Sequence, residues 1–316
     1  MNKMEPLVSI VTPCYNGALY LDRYFQSILE QTYPHLELIF INDGSSDNTE
    51  DVFLHWKSRL EKKQIRVRYL FQENAGQAAA LNKGIKLVEG GFMVWPDADD
   101  EMTPDSIEKR VRFLQTHPEY DFCAGAVECR RNGREVSEIY RRKTYDSRRE
   151  ALRHMIFDEV MMSGSFMIRT SFLDRILAGR EIYAGRGGQN PQILLPAIWY
   201  GKIGQIKEVI YIYHIHEDSH SHDQNNSLKV ICQLQNYEDI CVETIKRIDD
   251  PAAREIIPEI QKCYARRRFG TAVDTRDAEL IRKYYRELAA VDTVTIHDRL
   301  LKLKYVNPLA RAIFHI

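Results

Sequence analysis

The chain has 316 residues, a formal net charge of −1 and 44% hydrophobic residues, the profile of a globular protein with one large domain or a domain plus an appendix. The near balance of charge argues against a general nucleic-acid binder, which carries a strong basic excess. No apolar run reaches the roughly 18 residues of a membrane span, and Leu7–Val11 is too short for a secretory signal.

Leu7–Cys14 is a β-branched run closed by Tyr15, Asn16 and Gly17, which predicts a buried first strand. Leu19–Gln31 carries a helical apolar stripe at Leu21, Tyr24, Phe25, Ile28 and Leu29. Leu36–Asp43 predicts a second buried strand, and Gly44–Thr49 is a turn and cap cluster opening a helix through Trp56. Ile65–Phe71 is a third strand. Asn74–Gly76 turns into an Ala-rich helix over Gln77–Val88, and Phe92–Trp95 is a fourth strand. Strands alternating with helices at this spacing predict a parallel, helix-covered α/β sheet. Polar residues follow each strand, and ligands of open α/β sheets bind outside the carboxyl ends of the strands.

The second half is less regular. Met162–Arg169 and Glu208–His216 read as strands, and 186–190 as a loop before the apolar run Ile193–Ile198. From about Asn225, Val230, Leu234, Tyr237, Cys241, Ile245 and Ile248 recur every three or four residues, predicting helix. The expected division is therefore residues 1–224 as an α/β domain and 225–316 as a helical region. The six cysteines are scattered without a CxxC pair, which fits reduced thiols in a cytoplasm.

The fourth strand runs into Asp97, Asp99 and Asp100. Asp97 and Asp99 stand two apart, so a continued strand would turn both to one side. Paired carboxylates suit a hard divalent cation, Mg²⁺ or Mn²⁺, that shares its ligands with phosphates. A solvated acidic turn before the helix near Pro104 is the alternative reading of these residues alone.

Val8–Thr49, then QENAGQAAALNKGI, WPDADDEMTPDSI and SGSFMIRTSFLDRI, occur in order and resemble the family 2 glycosyltransferases over about residues 5–222. The resemblance implies a GT-A fold, Rossmann-like with a mostly parallel sheet and flanking helices. It implies a metal-dependent, inverting transfer from a nucleotide-sugar donor, a UDP-sugar, to a glycan or lipid-linked glycan acceptor. By resemblance, Thr12, Pro13, Tyr15 and Asn16 cradle the base, Asp43 takes a base N–H, and Gly44 and Ser45 follow it. Asn74, Gly76 and Asn82 match the third motif, although Leu81 replaces the Arg and Gln77 the Lys of other members. Asp97-Ala98-Asp99 matches the DxD motif, with Asp97 on ribose or metal and Asp99 on the metal. Asp100 is expected to support the loop.

Members of the family place a Glu-Asp pair at the start of a late helix, the Asp acting as base. Here that place holds Gly187-Gly188-Gln189-Asn190, and neither amide is a base near neutral pH. Three readings stay open: Asp158 or Glu159 supplies the base; Gln189 and Asn190 bind sugar while another group takes the proton; or the chain is a non-catalytic binding relative. The same resemblance makes His220 or His222, in the run His214–His222, a third metal ligand. A flexible polar loop is the alternative. A nucleotidyltransferase is a further rival, disfavoured because PCYNGALY lacks a basic side chain.

Residues 298–316 set Arg299, Lys302, Lys304 and Arg311 against Asp298 among many apolar residues. Such a tail suits peripheral contact with an anionic membrane face; packing on its own domain is the alternative.

Overall fold

The computed structural model describes residues 5–131, 134–140, 145–157, 162–185, 188–215 and 226–307. The chain forms two compact units, Met1–His216 and Glu217–Ile316.

The first unit begins with β1 (Val8–Cys14), α1 (Ala18–Leu29), β2 (Leu36–Asp43), α2 (Thr49–Lys62), β3 (Arg66–Gln72), α3 (Gln77–Ile85) and β4 (Phe92–Val94). These strands pair in parallel in the order β3-β2-β1-β4. Every residue of β1 and β2 is buried, as when both faces of a sheet are covered, and the polar Ser9 and Glu37 within them bond to each other. On one face, Phe25 and Trp56 from α1 and α2 meet Phe40, Phe53 and Tyr69 in an aromatic cluster with ring centroids 4.6–6.4 Å apart. Each such ring contributes on the order of 2 kcal/mol by burial. On the other face α3 lies close, because Gly84 leaves room for Val11 and Ile41; a Cβ there would sit 2.4 Å from Val11 Cγ1.

The chain continues through β5 (Glu101–Met102), α4 (Ser106–Thr116), β6 (Phe122–Arg131), β7 (Arg134–Tyr140), α5 (Arg148–Phe157), β8 (Phe166–Arg169), α6 (Thr170–Ile176), α7 (Asn190–Tyr200) and β9 (Ile203–Ile215). They extend the sheet as β4-β8-β6-β9-β5, with β7 paired to β6. Here β8 is antiparallel to both β4 and β6, while β6 and β9 run parallel. Two details differ from expectation. The strand expected over Met162–Arg169 starts with a 3₁₀ turn at Ser163–Ser165 before β8. The fourth strand ends at Val94, and the acidic residues lie in a turn beyond it. Strand alternation therefore does not orient Asp97 and Asp99.

The second unit consists of α8 (Ser227–Arg247), α9 (Pro251–Arg254), α10 (Ile257–Thr275), α11 (Ala278–Val291) and α12 (Ile296–Val306). Side chains of Asn226, Asp250, Asp277 and Thr295 cap the N-termini of α8, α9, α11 and α12. Ile231, Ala265, Phe269, Ala272, Ile281, Tyr284 and Leu288 form its core. Among the described residues no helix is long and apolar enough to cross a membrane.

Candidate active site

The carboxyl ends of β1, β2 and β3 are joined by side-chain-to-backbone bonds. Asn16 adopts a left-handed φ of 51°, tolerated by Asn, and its Oδ1 accepts from Ser46 N at 2.8 Å while its own N–H donates to Ser45 Oγ at 2.9 Å. Tyr15 beside it is half exposed, so its ring is available to stack on a planar ligand. Thr12 and Pro13 are buried within β1, and the Thr12 hydroxyl bonds to Tyr24 of α1. Strand alternation turns Thr12 toward α1 and Pro13 toward the opposite face of the sheet.

Asp43 organises the neighbouring turn. Its Oδ1 accepts from Gln72 Nε2 at 2.6 Å and Ala75 N at 2.9 Å, and its Oδ2 accepts from Gly76 N at 2.9 Å. Asn74 Nδ2 donates to the Asp43 carbonyl at 3.1 Å. Gly44, at φ +71°, abuts this turn, where a Cβ would lie 2.5 Å from Asn74 N. A base N–H would have only the remaining acceptor capacity of Oδ2. Asn82 clasps the backbone of Ile182, donating to its carbonyl at 2.7 Å and accepting from its N–H at 2.8 Å. Both ends of its amide are thus spent on holding the segment that leads to 188–190.

The acidic turn shows a clear division of labour. Asp100 is fully buried and accepts from the Tyr211 hydroxyl and from His214 N, both at 2.8 Å, anchoring the turn to β9. Ala98 packs its methyl against the core. Asp97 is ringed by neutral donors from three elements: Gln77 Nε2 at 2.9 Å and Gln189 Nε2 at 3.4 Å on Oδ1, and Ser163 Oγ at 2.7 Å on Oδ2. Asp97 and Asp99 are both partly exposed. Desolvation by these walls, and then the Asp99 charge, push the Asp97 carboxyl up to about 7. A carboxylate so poorly compensated fits a cation, and hard oxygen donors fit Mg²⁺ or Mn²⁺. Among the described residues no three His, Cys, Asp or Glu groups converge, so these two carboxylates would need further ligands from elsewhere.

The site's other scaffold residues carry no local sequence signal. Arg110, wholly buried in α4, donates to the carbonyls of Gly164 and Phe166, each at 2.8 Å, and so fixes the turn that presents Ser163. Gln189 is buried and Asn190 opens α7. Asp158, Glu159, His220 and His222 lie outside the described residues.

Asp97 implies a pH dependence. Its native pKa is raised above the ordinary value of 3.8, so its contribution to stability is largest at low pH and falls as pH rises from about 4 to about 7. Asp100 is raised too and acts with the same sign. Asp47, Asp105 and Asp298 are lowered and act only near and below their ordinary range. We therefore expect the melting temperature of metal-free protein to fall between about pH 5 and pH 7.5, with a shallower fall in Asp97→Asn. Equal slopes in calorimetric scans of the two proteins would contradict this.

The family model described as glycosyl transferase family 2 matches residues 9–177, more than half of the chain. The chain belongs to glycosyl transferase family 2. A putative teichuronic acid biosynthesis glycosyltransferase, TuaG of Bacillus subtilis, is 37% identical over 114 residues, 36% of this chain and 44% of that protein. An uncharacterised glycosyltransferase of Rickettsia prowazekii is 41% identical over 113 residues, 36% of this chain and 33% of that protein. The matched stretch thus spans less than half the length of these relatives. Among solved structures, Staphylococcus aureus TarS 1–349 in complex with UDP-GlcNAc superposes with a TM-score of 0.57 at 14% identity, covering 98% of this chain and 92% of that one. The mannosyltransferase PcManGT of Pyrobaculum calidifontis, in complex with GDP-Man and Mn²⁺, gives 0.56 at 16% identity, covering 98% and 87%. At such identities the likeness carries the fold alone: the GT-A α/β architecture with C-terminal helices.

Proposed function

We propose that this chain is a metal-dependent glycosyltransferase that moves a sugar from a nucleotide-sugar donor, a UDP-sugar, to a hydroxyl of a glycan or lipid-linked glycan, with inversion. The catalytic unit would extend to about residue 224. The observation that carries the reading is Asp97 bonded to Gln77 at the start of α3, directly after the Asn74–Gly76 turn that Asp43 holds. Membership of the family supports it, as do the UDP-GlcNAc bound by TarS and the GDP-Man and Mn²⁺ bound by PcManGT.

In such a transfer the acceptor oxygen bonds to the anomeric carbon as the bond from that carbon to the diphosphate breaks. A divalent cation, when bound, supplies Lewis-acid stabilisation of the departing diphosphate. Asp97 and Asp99 would hold it, with His220 or His222 as a third ligand. Tyr15 and Asn16 would border the base, and Asp43 would keep the Asn74–Gly76 turn in shape. Asp158 or Glu159 would take the acceptor proton, since Gln189 and Asn190 are amides. That amide pair also favours a second reading, a nucleotide-sugar-binding relative without turnover.

Incubation of the protein with Mn²⁺ and UDP- or GDP-sugars, with a panel of glycoside acceptors, tests this. Release of nucleoside diphosphate is expected. Pyrophosphate release would identify a nucleotidyltransferase instead, and tight binding with no turnover would support the non-catalytic relative.

We further propose that the C-terminal region rests on the inner face of the cell membrane. On α12, Ile296, Leu300 and Leu303 are 77, 58 and 51% exposed at helical spacing, with Arg299 exposed among them. An apolar stripe beside basic residues suits an anionic lipid surface. The protein is expected to sediment with phosphatidylglycerol vesicles and not with phosphatidylcholine vesicles. Leu300→Glu with Leu303→Glu should abolish that binding; undiminished sedimentation would contradict it.

A further inference from the structure

The orientation of one buried amide carries a consequence for substrate choice. Gln189 is 1% exposed, and its Nε2 approaches Asp97 Oδ1 at 3.4 Å. The ionised carboxylate only accepts, so with Asp97 charged the nitrogen end of the amide faces it. The other end, Oε1, is buried and has no hydrogen-bond partner among the described residues. A buried acceptor left unpaired is unfavourable and is satisfied by a donor when one arrives. The adjacent residue, Gly188, sits at φ +106°, and among the described residues nothing lies within 4 Å of where its Cβ would project. The rest of the site supplies neutral hydrogen-bonding groups and carboxylates, and Gln77 and Ser163 are already committed to Asp97.

The geometry points to Gln189 as the residue that recognises a sugar hydroxyl or amide N–H, with Asp97 holding its amide so that Oε1 faces the ligand. This inference rests on the glycosyltransferase reading. It assigns to Gln189 a role in specificity and leaves proton transfer to other groups. A site that offers a fixed acceptor discriminates strongly against a ligand lacking the matching donor, because the acceptor then stays unpaired. Gln189→Met removes the acceptor at nearly constant volume.

The sugar concerned could belong to the donor or to the acceptor, and two measurements separate these. In the first, calorimetric titration with Mn²⁺ compares UDP with UDP-glucose and UDP-GlcNAc, and GDP with GDP-mannose. If the donor sugar is bound, Gln189→Met loses about 5- to 100-fold in affinity for the sugar nucleotide and none for the bare nucleotide. In the second, at saturating donor, the KM for p-nitrophenyl glycoside acceptors rises by a similar factor while kcat holds. Either result supports the inference and names the source. Unchanged values in both, in a wild type that binds and transfers, would overturn it. A wild type that binds no sugar nucleotide would overturn the glycosyltransferase reading and this inference together. Should Gln189→Met fail to fold, Gln189→Ala serves, since it removes the acceptor without adding bulk or charge beside Asp97. It should show the same selective loss, for the sugar nucleotide or for the glycoside acceptor. Unchanged values in both measurements would overturn the inference.

Discussion

Asp99→Ala should lower sugar transfer by about 10³-fold, and Asp97→Asn by about 10²- to 10³-fold, the scale seen when a group stabilising developing charge is removed. The two variants should differ in stability. The Asp99 charge adds only part of the shift at Asp97, so its removal should raise the melting temperature of metal-free protein near neutral pH by less than Asp97→Asn does. Asp97 is desolvated and faces Asp99, so Asn in its place relieves an uncompensated charge and should raise the melting temperature near neutral pH. A gain in stability with a loss of function is what a site strained for cation binding predicts. Steady-state rates and calorimetric scans on both variants check this. Full activity in Asp99→Ala would remove the metal role from the acidic turn.

Gly164→Ala should damage the same site from a distance. A Cβ at residue 164 would lie 2.0 and 2.2 Å from ring carbons of Tyr211 and 2.6 Å from its hydroxyl. Tyr211 is fully buried, so the ring cannot swing into solvent. Overpacking of this kind costs about 1–3 kcal/mol or more, which for a domain of this size lowers the melting temperature by roughly 5 °C or more. The functional loss should exceed the stability loss. The Tyr211 hydroxyl donates to Asp100 at 2.8 Å and accepts from Asp97 N at 3.3 Å, so its displacement loosens the turn carrying Asp97 and Asp99. Donor affinity is therefore expected to fall at least about tenfold at a temperature where the variant is still folded. A variant with wild-type affinity would show that the Tyr211 anchor does not position the turn.

These two predictions also show what a single sequence can and cannot reveal. The first four strands were legible because β1, β2 and β4 are short runs dominated by apolar residues, with polar residues gathered at their ends. Asp43, Asp97 and Asp99 could be singled out that way. Their partners could not. Ser163 meets Asp97 across 66 residues of chain and Asn82 meets Ile182 across 100, and nothing local marks either contact. The β6–β7 hairpin was missed because Phe122–Tyr140 mixes charged residues into its alternation, and β6 is held by a parallel pairing with the distant β9. Asp43 stands out in the sequence by its place at the end of β2, but its bonds do not. The structure shows its oxygens committed to the Ala75–Gly76 turn. Arg110 is the clearest case of a hidden residue: an arginine in an amphipathic helix reads as solvent-facing, yet this one is wholly buried and holds the turn beneath Asp97.

The central claim is that the acidic turn after β4 binds a nucleoside diphosphate through a divalent cation. Calorimetric titration of UDP and GDP into the protein, with Mn²⁺ and then with excess EDTA, tests it most directly. One of the two nucleotides should bind with Mn²⁺ and bind at least about tenfold more weakly with EDTA, a difference that Asp99→Ala abolishes. Nucleotide binding that is indifferent to EDTA and to Asp99→Ala, or no binding of either nucleotide, would contradict the claim.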